Sequence, residues 1–438
     1  MIGGGLPARS GRVSEGAMHR WSKFLFLASA VVSPALAQED EDVSPYKEMK
    51  TLARAVELIR QDYVDGDKTD YEELIYSALR GMFEELDPHS DFMDPKDFKG
   101  MQEDTRSEFG GLGVVVTRKD DRLVIVAPME GTPGFRAGLL PDDILLEIDG
   151  QSAEKMSLRD AVDKLRGEAG TAVKLAVARA GESEPIELEI EREVIKVPSV
   201  RGAKILEGNG PRIGYVRVTQ FSEPTGKEFA RALAGLEKQG MDALVIDLRF
   251  NPGGLLGSAV EVAGEFLPGG ALVAYTEGRS PAAARRYTAP GKGRQPRSYP
   301  VAVLVNGSSA SGAEIVAGAL KDSGRALLVG ETTFGKGSVQ SVVSLPDGSA
   351  VRLTTAHYFT PGKQPIHEKG VAPHVSAPMS SEDAARLFAL RRQEELPDGT
   401  AREEIEPVED VPLQRAVDAL RGVLLHAKEG ADKPSGEG

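Results

Sequence analysis

Three serines stand close together where a short apolar run passes into a helical pattern, in the segment NGSSASGAEIVAGAL at residues 306–320. They are Ser308, Ser309 and Ser311. A serine in this place is either a helix cap, which satisfies free backbone N–H groups, or a nucleophile. The hydroxyl is a weak nucleophile unless a neighbouring base takes its proton. The second interpretation therefore requires a base elsewhere in the chain.

The best candidate for that base is Lys336, in the segment GETTFGKG. Histidine is the usual partner of serine, but none of the six histidines lies in a motif such as G-x-S-x-G. A lysine can take the proton when burial lowers its pKa, because an apolar environment disfavours the ammonium form. Phe334, Gly335 and Gly337 flank Lys336 and are compatible with such an environment. An exposed hairpin lysine is the alternative interpretation.

The same segment nearly matches a phosphate-binding loop, G-x-x-x-x-G-K-S/T. Gly337 stands where that loop needs a hydroxyl for Mg²⁺, and the following residues alternate in polarity like a strand. A phosphate-binding loop must instead open a helix. The sequence therefore excludes a nucleotide site here.

Strand and helix patterns alternate from Ile213 to Phe359, which is typical of an α/β layer fold. In such folds the active crevice lies at the carboxyl ends of the parallel strands. Three continuous apolar runs are each followed by a glycine-rich turn, at residues 249–254, 306–312 and 330–337. We expect these three turns to meet.

Residues 106–196 have a different pattern, with short β-rich runs and two helical signals. Successive glycines leave backbone N–H groups free to hold a carboxylate, and a strand edge beside the helical segment 157–166 can accept an extended peptide. These features resemble a PDZ domain, permuted as in bacterial proteases; a β-rich domain without a ligand is the alternative. The predicted carboxylate loop consists of Phe109, Gly110, Gly111, Leu112 and Gly113.

The two ends of the chain carry different signals. Residues 18–38 have a basic start, an apolar run and an A-x-A site, which predicts a secretory signal peptide and translation from Met18. Helical spacing follows at 46–86 and again at 381–425. An internal segment differs from these ends: residues 268–299 are rich in Gly, Pro, Ala and Arg, a composition that predicts a mobile surface loop. The tail from Lys433 predicts disorder.

Composition excludes several classes of function. The 438 residues carry a net charge of −14, which does not favour a nucleic-acid partner. There are no cysteines, so disulfides, thiolate catalysis and cysteine-ligated metals are excluded.

Three motifs in this order resemble the carboxy-terminal processing peptidase family of Ser/Lys proteases. They are DLRFNPGGLL at 247–256, NGSSASGAEIVAGAL at 306–320 and GETTFGKGSVQ at 330–340. A PDZ-like segment precedes them, as it does in that family. The resemblance spans residues 46–376.

The resemblance implies roles for individual residues. It places the nucleophile at Ser311, the general base at Lys336 and a lysine-orienting residue at Gln340. The oxyanion hole would use the N–H of Gly312 and that of either Gly253 or Gly254, since donors at a helix start are unpaired.

Four residues near these motifs have a departure from the family, an alternative role or an additional role. Gly312 departs from the family, which often reads S-A-S-A-S-E, and Ser309 is the alternative nucleophile if the register is shifted. Glu314 is interpreted as a first-turn acid favoured by the helix dipole and not as a catalytic acid. Family analogy makes Arg166 a regulatory contact between the PDZ-like and protease modules.

The implied fold is a ClpP/crotonase-like α/β protease core with an inserted PDZ-like domain and helical ends. The predicted boundaries are residues 1–37, 38–97, 98–185, 186–376 and 377–438 for the signal peptide, helical segment, PDZ-like domain, protease core and C-terminal extension.

The function implied is that of an exported serine endopeptidase that captures apolar C-terminal tails of proteins and needs no cofactor. We expect it in the periplasm, with the inner-membrane surface or the extracellular space as alternatives. A homodimer through the terminal helices and an adaptor or lipoprotein partner are also expected. The rival hypotheses are a catalytically silent PDZ adaptor and a crotonase-type acyl-CoA enzyme.

Overall fold

The computed structural model describes residues 45–394, 396 and 404–431. The predicted signal peptide, the acidic segment after it and the tail from Lys433 lie outside these residues. The chain divides into two compact units, one ending at Tyr71 and one starting at Glu72. No helix in the described ranges has the length and apolar character needed to cross a membrane.

The first unit contains helix α1 (Tyr46–Asp62) and a single 3₁₀ turn, which confirms the helical spacing predicted from residue 46. Tyr71 closes this unit. Its hydroxyl donates to Glu57 Oε1 at 2.6 Å, and the Arg60 guanidinium lies 3.8 Å from the centre of its ring.

The second unit opens with helix α2, a short strand, a further helix and a glycine-rich strand. These elements are α2 (Tyr71–Glu84), β1 (Asp91–Met93), α3 (Pro95–Arg106) and β2 (Glu108–Gly111). Helix α3 was not predicted. Its start is well specified, because Asp94 accepts the N–H of Asp97 at 2.9 Å and Pro95 occupies the first helical position.

The PDZ-like region is an antiparallel sheet in the order β3-β4-β5-β7-β8, with β6 paired to β5. Its strands are β3 (Val114–Lys119), β4 (Arg122–Pro128), β5 (Ile144–Ile148), β6 (Gln151–Ser152), β7 (Ala172–Ala178) and β8 (Ile186–Glu191); its helices are α4 (Pro133–Arg136) and α5 (Leu158–Leu165). Strand β3 is an edge strand and lies beside α5. The predicted strands are confirmed, and the sheet continues through β8, past the predicted boundary at residue 185.

Part of the predicted carboxylate loop is a strand, and its binding role stays a prediction. Phe109, Gly110 and Gly111 belong to strand β2, which pairs with β9 (Glu193–Lys196), so their backbone is largely engaged in a sheet. Gly110 lies too close to its neighbours for a side chain, because an added Cβ would be 2.0 Å from the carbonyl oxygen of Gly167. The glycines therefore allow close packing, and only Leu112 and Gly113 remain in a loop.

The catalytic layer contains four parallel strands, with an antiparallel strand at one edge and a short parallel strand at the other. In spatial order they are β10 (Val200–Ile205), β11 (Ile213–Val218), β12 (Ala243–Asp247), β15 (Val301–Val305), β16 (Leu327–Gly330) and β19 (Val375–Ser376). Strands β12 and β15 are buried at every position, as expected for a sheet covered on both faces.

Alternate residues of these strands enter two different cores. One face, with Leu244 and Val303, packs against a first group of helices, and the other face, with Val245 and Leu304, packs against the last helix. The first group is α6 (Thr225–Lys238), α7 (Leu256–Gly264) and α8 (Gly312–Asp322); α9 (Ser381–Glu394) precedes the last helix, α10 (Val411–Ala431).

The predicted mobile loop at residues 268–299 is wrong. It contains strands β13 (Leu272–Glu277) and β14 (Arg285–Thr288), which form a sheet with β18 (Ala350–Phe359) and β1. Val273 is fully buried, and the ring of Tyr275 stacks on Phe359 at 5.1 Å. The Gly/Pro-rich flanks hid a short strand whose burial depends on partners more than 70 residues away. Strand β17 (Ser338–Ser344) pairs with β18 at the opposite edge.

Candidate active site

The three glycine-rich turns come together as expected, and the nucleophile candidate lies in the central one. Ser311 is partly buried and precedes helix α8, with a φ of 51° that places a residue with a side chain in the left-handed region. Such a conformation costs on the order of 1–3 kcal/mol and is often retained at functional sites. The turn therefore has the geometry of a strand-to-helix elbow.

The alternative nucleophile, Ser309, is engaged elsewhere. Its side chain is fully buried, and its hydroxyl donates to the carbonyl oxygen of Leu248 at 2.8 Å and accepts the N–H of Asn306 at 3.0 Å. The Ser309 carbonyl oxygen also accepts the N–H of Phe334 at 3.0 Å. Ser309 thus ties the three turns together, and its hydroxyl proton is not free.

Lys336 lies in the loop between β16 and β17 and is partly buried. Burial lowers the pKa of its ammonium group; the nearby Arg352 lowers it further, and Asp87 raises it. Its Nζ makes no hydrogen bond or ion pair with another described residue within bonding distance. Gly337 must be a glycine, because an added Cβ would lie 2.2 Å from the backbone nitrogen of His367.

Histidines surround the lysine without forming a metal site. The rings of His357 and His367 lie 4.5 Å apart. Burial lowers the pKa of His89, and the positive charge of Lys336 lowers it further. In the described part of the chain, no group of three or more His, Asp and Glu side chains is placed to hold a metal ion.

Glu314 joins the nucleophile turn to the base loop, and the sequence did not predict this. One carboxylate oxygen, Oε2, accepts the backbone N–H of Ser311 and that of Lys336, each at 2.8 Å. The other, Oε1, accepts the Thr333 hydroxyl and the Gly335 N–H, each at 2.6 Å. The backbone nitrogens of both proposed catalytic residues therefore contact one oxygen atom.

The Glu314 side chain is fully buried. Burial raises the pKa of its carboxyl above the ordinary value of 4.5, although the hydrogen bonds from Thr333, Gly335, Ser311 and Lys336 lower it. Four donors match the acceptor capacity of an ionised carboxylate, whereas a protonated acid would turn a donor toward a donor. The spacing Ser311-x-x-Glu314 is the capping-box signal that would have located this residue.

One of the N–H groups proposed for the oxyanion hole is already hydrogen-bonded within the protein. Gly253 approaches the nucleophile closely, since an added Cβ would be 2.6 Å from Ser311 Cβ, and its φ is 101°. Its N–H, however, is donated to Asn251 Oδ1 at 2.8 Å. The N–H groups of Gly254 and Gly312 meet no acceptor among the described residues, so these two have the freer donors.

Gln340 makes no hydrogen bond with Lys336 in the described structure. Its Nε2 donates to Ser338 Oγ at 3.0 Å and to Thr354 Oγ1 at 3.2 Å. The orienting role that the resemblance implies stays a prediction.

The edge strand β3 lies beside helix α5, which is where the sequence predicts the peptide groove. The N–H groups of Leu112 and Gly113 at the start of this strand meet no acceptor in the described part of the chain. Arg166 ends α5, and its guanidinium lies 4.2 Å from the ring centre of Phe109. That contact lies within the PDZ-like domain, so a regulatory role of Arg166 stays a prediction.

A network of ion pairs ties the C-terminal extension to the end of β12. The buried carboxylate of Asp247 accepts bonds from Arg249, Arg391 and the Tyr215 hydroxyl. Arg249 also donates two hydrogen bonds to Asp410, at 2.6 and 2.7 Å. Burial raises the pKa of Asp247, but the two guanidinium groups hold it well below its ordinary value. The extension therefore anchors the strand that leads into the Gly253 turn.

Comparisons with known proteins agree with this architecture. A model of peptidase family S41 matches residues 212–377, a PDZ-domain model matches residues 124–179, and a model of the N-terminal domain of the activating protease CtpB matches residues 13–97.

Two curated relatives cover most of the chain. A carboxy-terminal-processing protease of Bartonella bacilliformis is 36% identical over 418 residues, which are 91% of this chain and 94% of the relative. The carboxy-terminal processing protease CtpA of Bacillus subtilis is 37% identical over 375 residues, 83% of this chain and 78% of the relative. Among solved structures, a photosystem II D1 C-terminal processing protease covers 76% of this chain and 93% of its own, at 31% identity and a TM-score of 0.44.

The fold and site define a mixed α/β serine protease with a PDZ domain and a helical N-terminal region. The chain belongs to peptidase family S41 and is a carboxy-terminal processing protease, as its motifs predicted. Its substrates are proteins.

Proposed function

We propose that the chain cleaves peptide bonds with Ser311 as nucleophile, Lys336 as general base and Gln340 as the residue that orients the lysine. The observation that carries this proposal is the shared oxygen of Glu314, which holds the backbone of Ser311 and of Lys336 together. The lowered pKa of Lys336 supports it, because only the neutral amine can accept a proton.

The reaction proceeds through an acyl-enzyme. Neutral Lys336 takes the proton of the Ser311 hydroxyl while Oγ attacks the scissile carbonyl carbon. The N–H of Gly312 and a glycine N–H of the 251–254 turn stabilise the oxyanion, and Gly254 is the preferred candidate because the Gly253 N–H is donated to Asn251. The lysine ammonium then protonates the leaving amine, and water attacks the ester by the same steps.

Substrates enter through their C-terminal tails. The last residues add as a strand along the free edge of β3, and the terminal carboxylate meets the N–H groups of Leu112 and Gly113. Phe109, Gly110 and Gly111 support this loop from β2, and apolar end residues lie against α5. Arg166 at the end of α5 reports occupancy of the groove to the protease core.

Further proposals follow the sequence. The core has the ClpP/crotonase-like fold, and the predicted signal segment exports the chain to the periplasm, with the inner-membrane surface and the extracellular space as alternatives. It forms a homodimer through its terminal helices and uses an adaptor or lipoprotein partner.

The test compares residues 38–438 with Ser311→Ala and Lys336→Ala on an unfolded protein that ends in apolar residues. Cleavage is followed by mass spectrometry, and folding by circular dichroism. We expect both variants to be folded and silent while the wild type cleaves. If Lys336→Ala cleaves as fast as the wild type, the base is a different residue; cleavage by Ser311→Ala would exclude the proposed nucleophile.

A further inference from the structure

A second hydrogen-bonded network reaches the site from the loop after α2, and its anchor is Asp87. Asp87 Oδ1 accepts the backbone N–H groups of His89 and Ser90, at 2.8 and 3.0 Å. Its Oδ2 accepts the Ser90 hydroxyl at 2.6 Å. Although burial raises the pKa of Asp87, these bonds hold it below the ordinary value, so the residue is an anion that can only accept.

Strand β18 connects this anion to the proposed active site. The Thr354 hydroxyl donates to Asp87 Oδ1 at 3.1 Å, and the Thr354 N–H donates to Ser90 Oγ at 3.0 Å. A hydroxyl has a single proton, and here the carboxylate takes it. The Thr354 oxygen can therefore only accept from its other neighbours, which are the Gln340 amide at 3.2 Å and the Ser90 hydroxyl at 3.4 Å.

The direction of these bonds fixes the amide of Gln340. Because Thr354 offers a lone pair, Gln340 must present its NH₂ group, and it does so at 3.2 Å. The amide nitrogen also contacts Ser338 Oγ. The Gln340 oxygen accepts no hydrogen bond from the described residues and is the end left for a donor.

We propose that Asp87 and Thr354 are positioning residues that set the amide of Gln340 so that its oxygen, and not its nitrogen, is available to Lys336. The inference rests on the proposed Ser/Lys mechanism and extends it to the loop at residues 87–90. An NH₂ group turned toward an amine that must give and take protons would oppose its alignment, whereas a carbonyl oxygen accepts from it in both protonation states.

Both positively and negatively charged groups lie near Lys336. Arg352 on β18 and His89 in the 87–90 loop are basic, and Asp87 is the acid that raises the pKa of the lysine. His367, in the segment after β18, also lowers the pKa of His89 through its charge. Removal of the Asp87 charge therefore lowers the pKa of Lys336 in addition to releasing Thr354, whereas a change at Thr354 alters no charge.

The experiment measures kcat, KM and the pH profile of peptide cleavage for Asp87→Ala, Thr354→Val and Thr354→Ser. We expect kcat to fall about tenfold in the first two, with KM within about twofold, because one oriented hydrogen bond is lost. An Asn at position 87 is unsuitable, because its amide oxygen would still accept the Thr354 hydroxyl together with the two backbone N–H groups. Thr354→Ser keeps the hydroxyl and the activity. The acidic limb of the profile moves to lower pH in Asp87→Ala only.

Thr355→Val is the matched control. Thr355 is the next residue on the same strand, and its hydroxyl contacts Ser341 instead of Asp87 or Gln340. If Thr354→Val retains as much activity as Thr355→Val, the inference is wrong. If Asp87→Ala does not fold, Thr354→Val alone decides the matter.

Loss of activity in Ser311→Ala and Lys336→Ala is measured in parallel, so that a failure of the dyad is separated from a failure of this inference.

Discussion

Two fully buried carboxylates are held in different ways, Glu314 in the first turn of helix α8 and Asp247 at the end of strand β12. Glu314 is surrounded by neutral donors, two of them the backbone N–H groups of Ser311 and Lys336. Asp247 is surrounded by two guanidinium groups and the Tyr215 hydroxyl.

The different partners give opposite pKa shifts. Burial prevails at Glu314, whose pKa lies above its ordinary value, because neutral donors compensate for lost water only in part. At Asp247 the charges of Arg249 and Arg391 prevail over burial, so the pKa lies below the ordinary value. Asp247 therefore works as a permanent cross-link to the C-terminal extension, whereas Glu314 aligns the site and responds to pH.

The largest effect is expected from breaking the cross-link. Arg249→Met leaves Asp247 and Asp410 with Arg391 as their remaining cation, and removal of one partner of a buried pair costs roughly 3–5 kcal/mol. Urea unfolding monitored by fluorescence measures the loss. The control is Arg386→Met, which breaks exposed pairs on the same extension and should cost about 1 kcal/mol or less. Equal losses in both variants would show that the buried network is not special.

The next effect is on catalysis. Glu314→Gln keeps the shape but turns an NH₂ group toward two donors, which displaces Ser311 and Lys336 relative to each other. Because loss of alignment of this kind costs about 10²-fold, we expect kcat to fall by that amount with a smaller change in KM. The control is Glu331→Gln. Glu331 lies at the start of the loop that carries Lys336, and this variant should keep full activity. A kcat within threefold of the wild type would exclude the aligning role of Glu314.

A change at Gly253 concerns both carboxylates. Its turn follows Arg249, which binds Asp247, and contacts Ser311, whose N–H is bound by Glu314. Gly253→Ala adds a methyl group 2.6 Å from Ser311 Cβ at a φ of 101°, which only glycine adopts readily. We expect kcat to fall about tenfold, with a loss of roughly 1–3 kcal/mol in stability from backbone strain. Gly307→Ala in the exposed nucleophile turn meets no atom within 4 Å and should be neutral. Activity assays and thermal unfolding of both variants distinguish these outcomes.

The smallest effect separates the two carboxylates by pH. A raised carboxyl pKa means that the folded state binds the proton more tightly than the unfolded state, so the contribution of Glu314 to stability falls as pH rises through the range above 4.5. The contribution of Asp247 has the opposite sign: it is present above its unfolded pKa and is lost only in strong acid.

We therefore expect Glu314→Gln to flatten the pH dependence of the unfolding free energy just above pH 4.5. Measurement at closely spaced pH values between 4 and 7 tests this. An unchanged slope in the variant would show that Glu314 does not take up a proton there.

Sequence motifs were sufficient for the family, because Asn251-Pro-Gly253-Gly254, the serine turn and the lysine turn occur in order and each has a local physical reason. Most strands and helices of the PDZ-like and protease regions followed from the same local patterns. Strands β9, β10, β13 and β14 and the sheet position of Phe109–Gly111 did not, because they depend on partners distant in the chain.

What the sequence by itself determined is therefore the family, and with it the candidates for the reaction: a serine, a lysine and glycine N–H groups at the ends of apolar strands. Only the tertiary structure decided what surrounds them. Glu314 was interpreted as a dipole acid because its first-turn position is local, whereas its bonds to Gly335 and Lys336 require β16 to lie beside β15. The same holds for Thr354, which meets Asp87 across 267 residues, and for Asp410, which meets Arg249 across 161. The direction of each hydrogen bond and the extent of desolvation depend on which segments of the chain meet in space. They decide which atoms of the site donate or accept, and they set the pKa of its ionisable side chains.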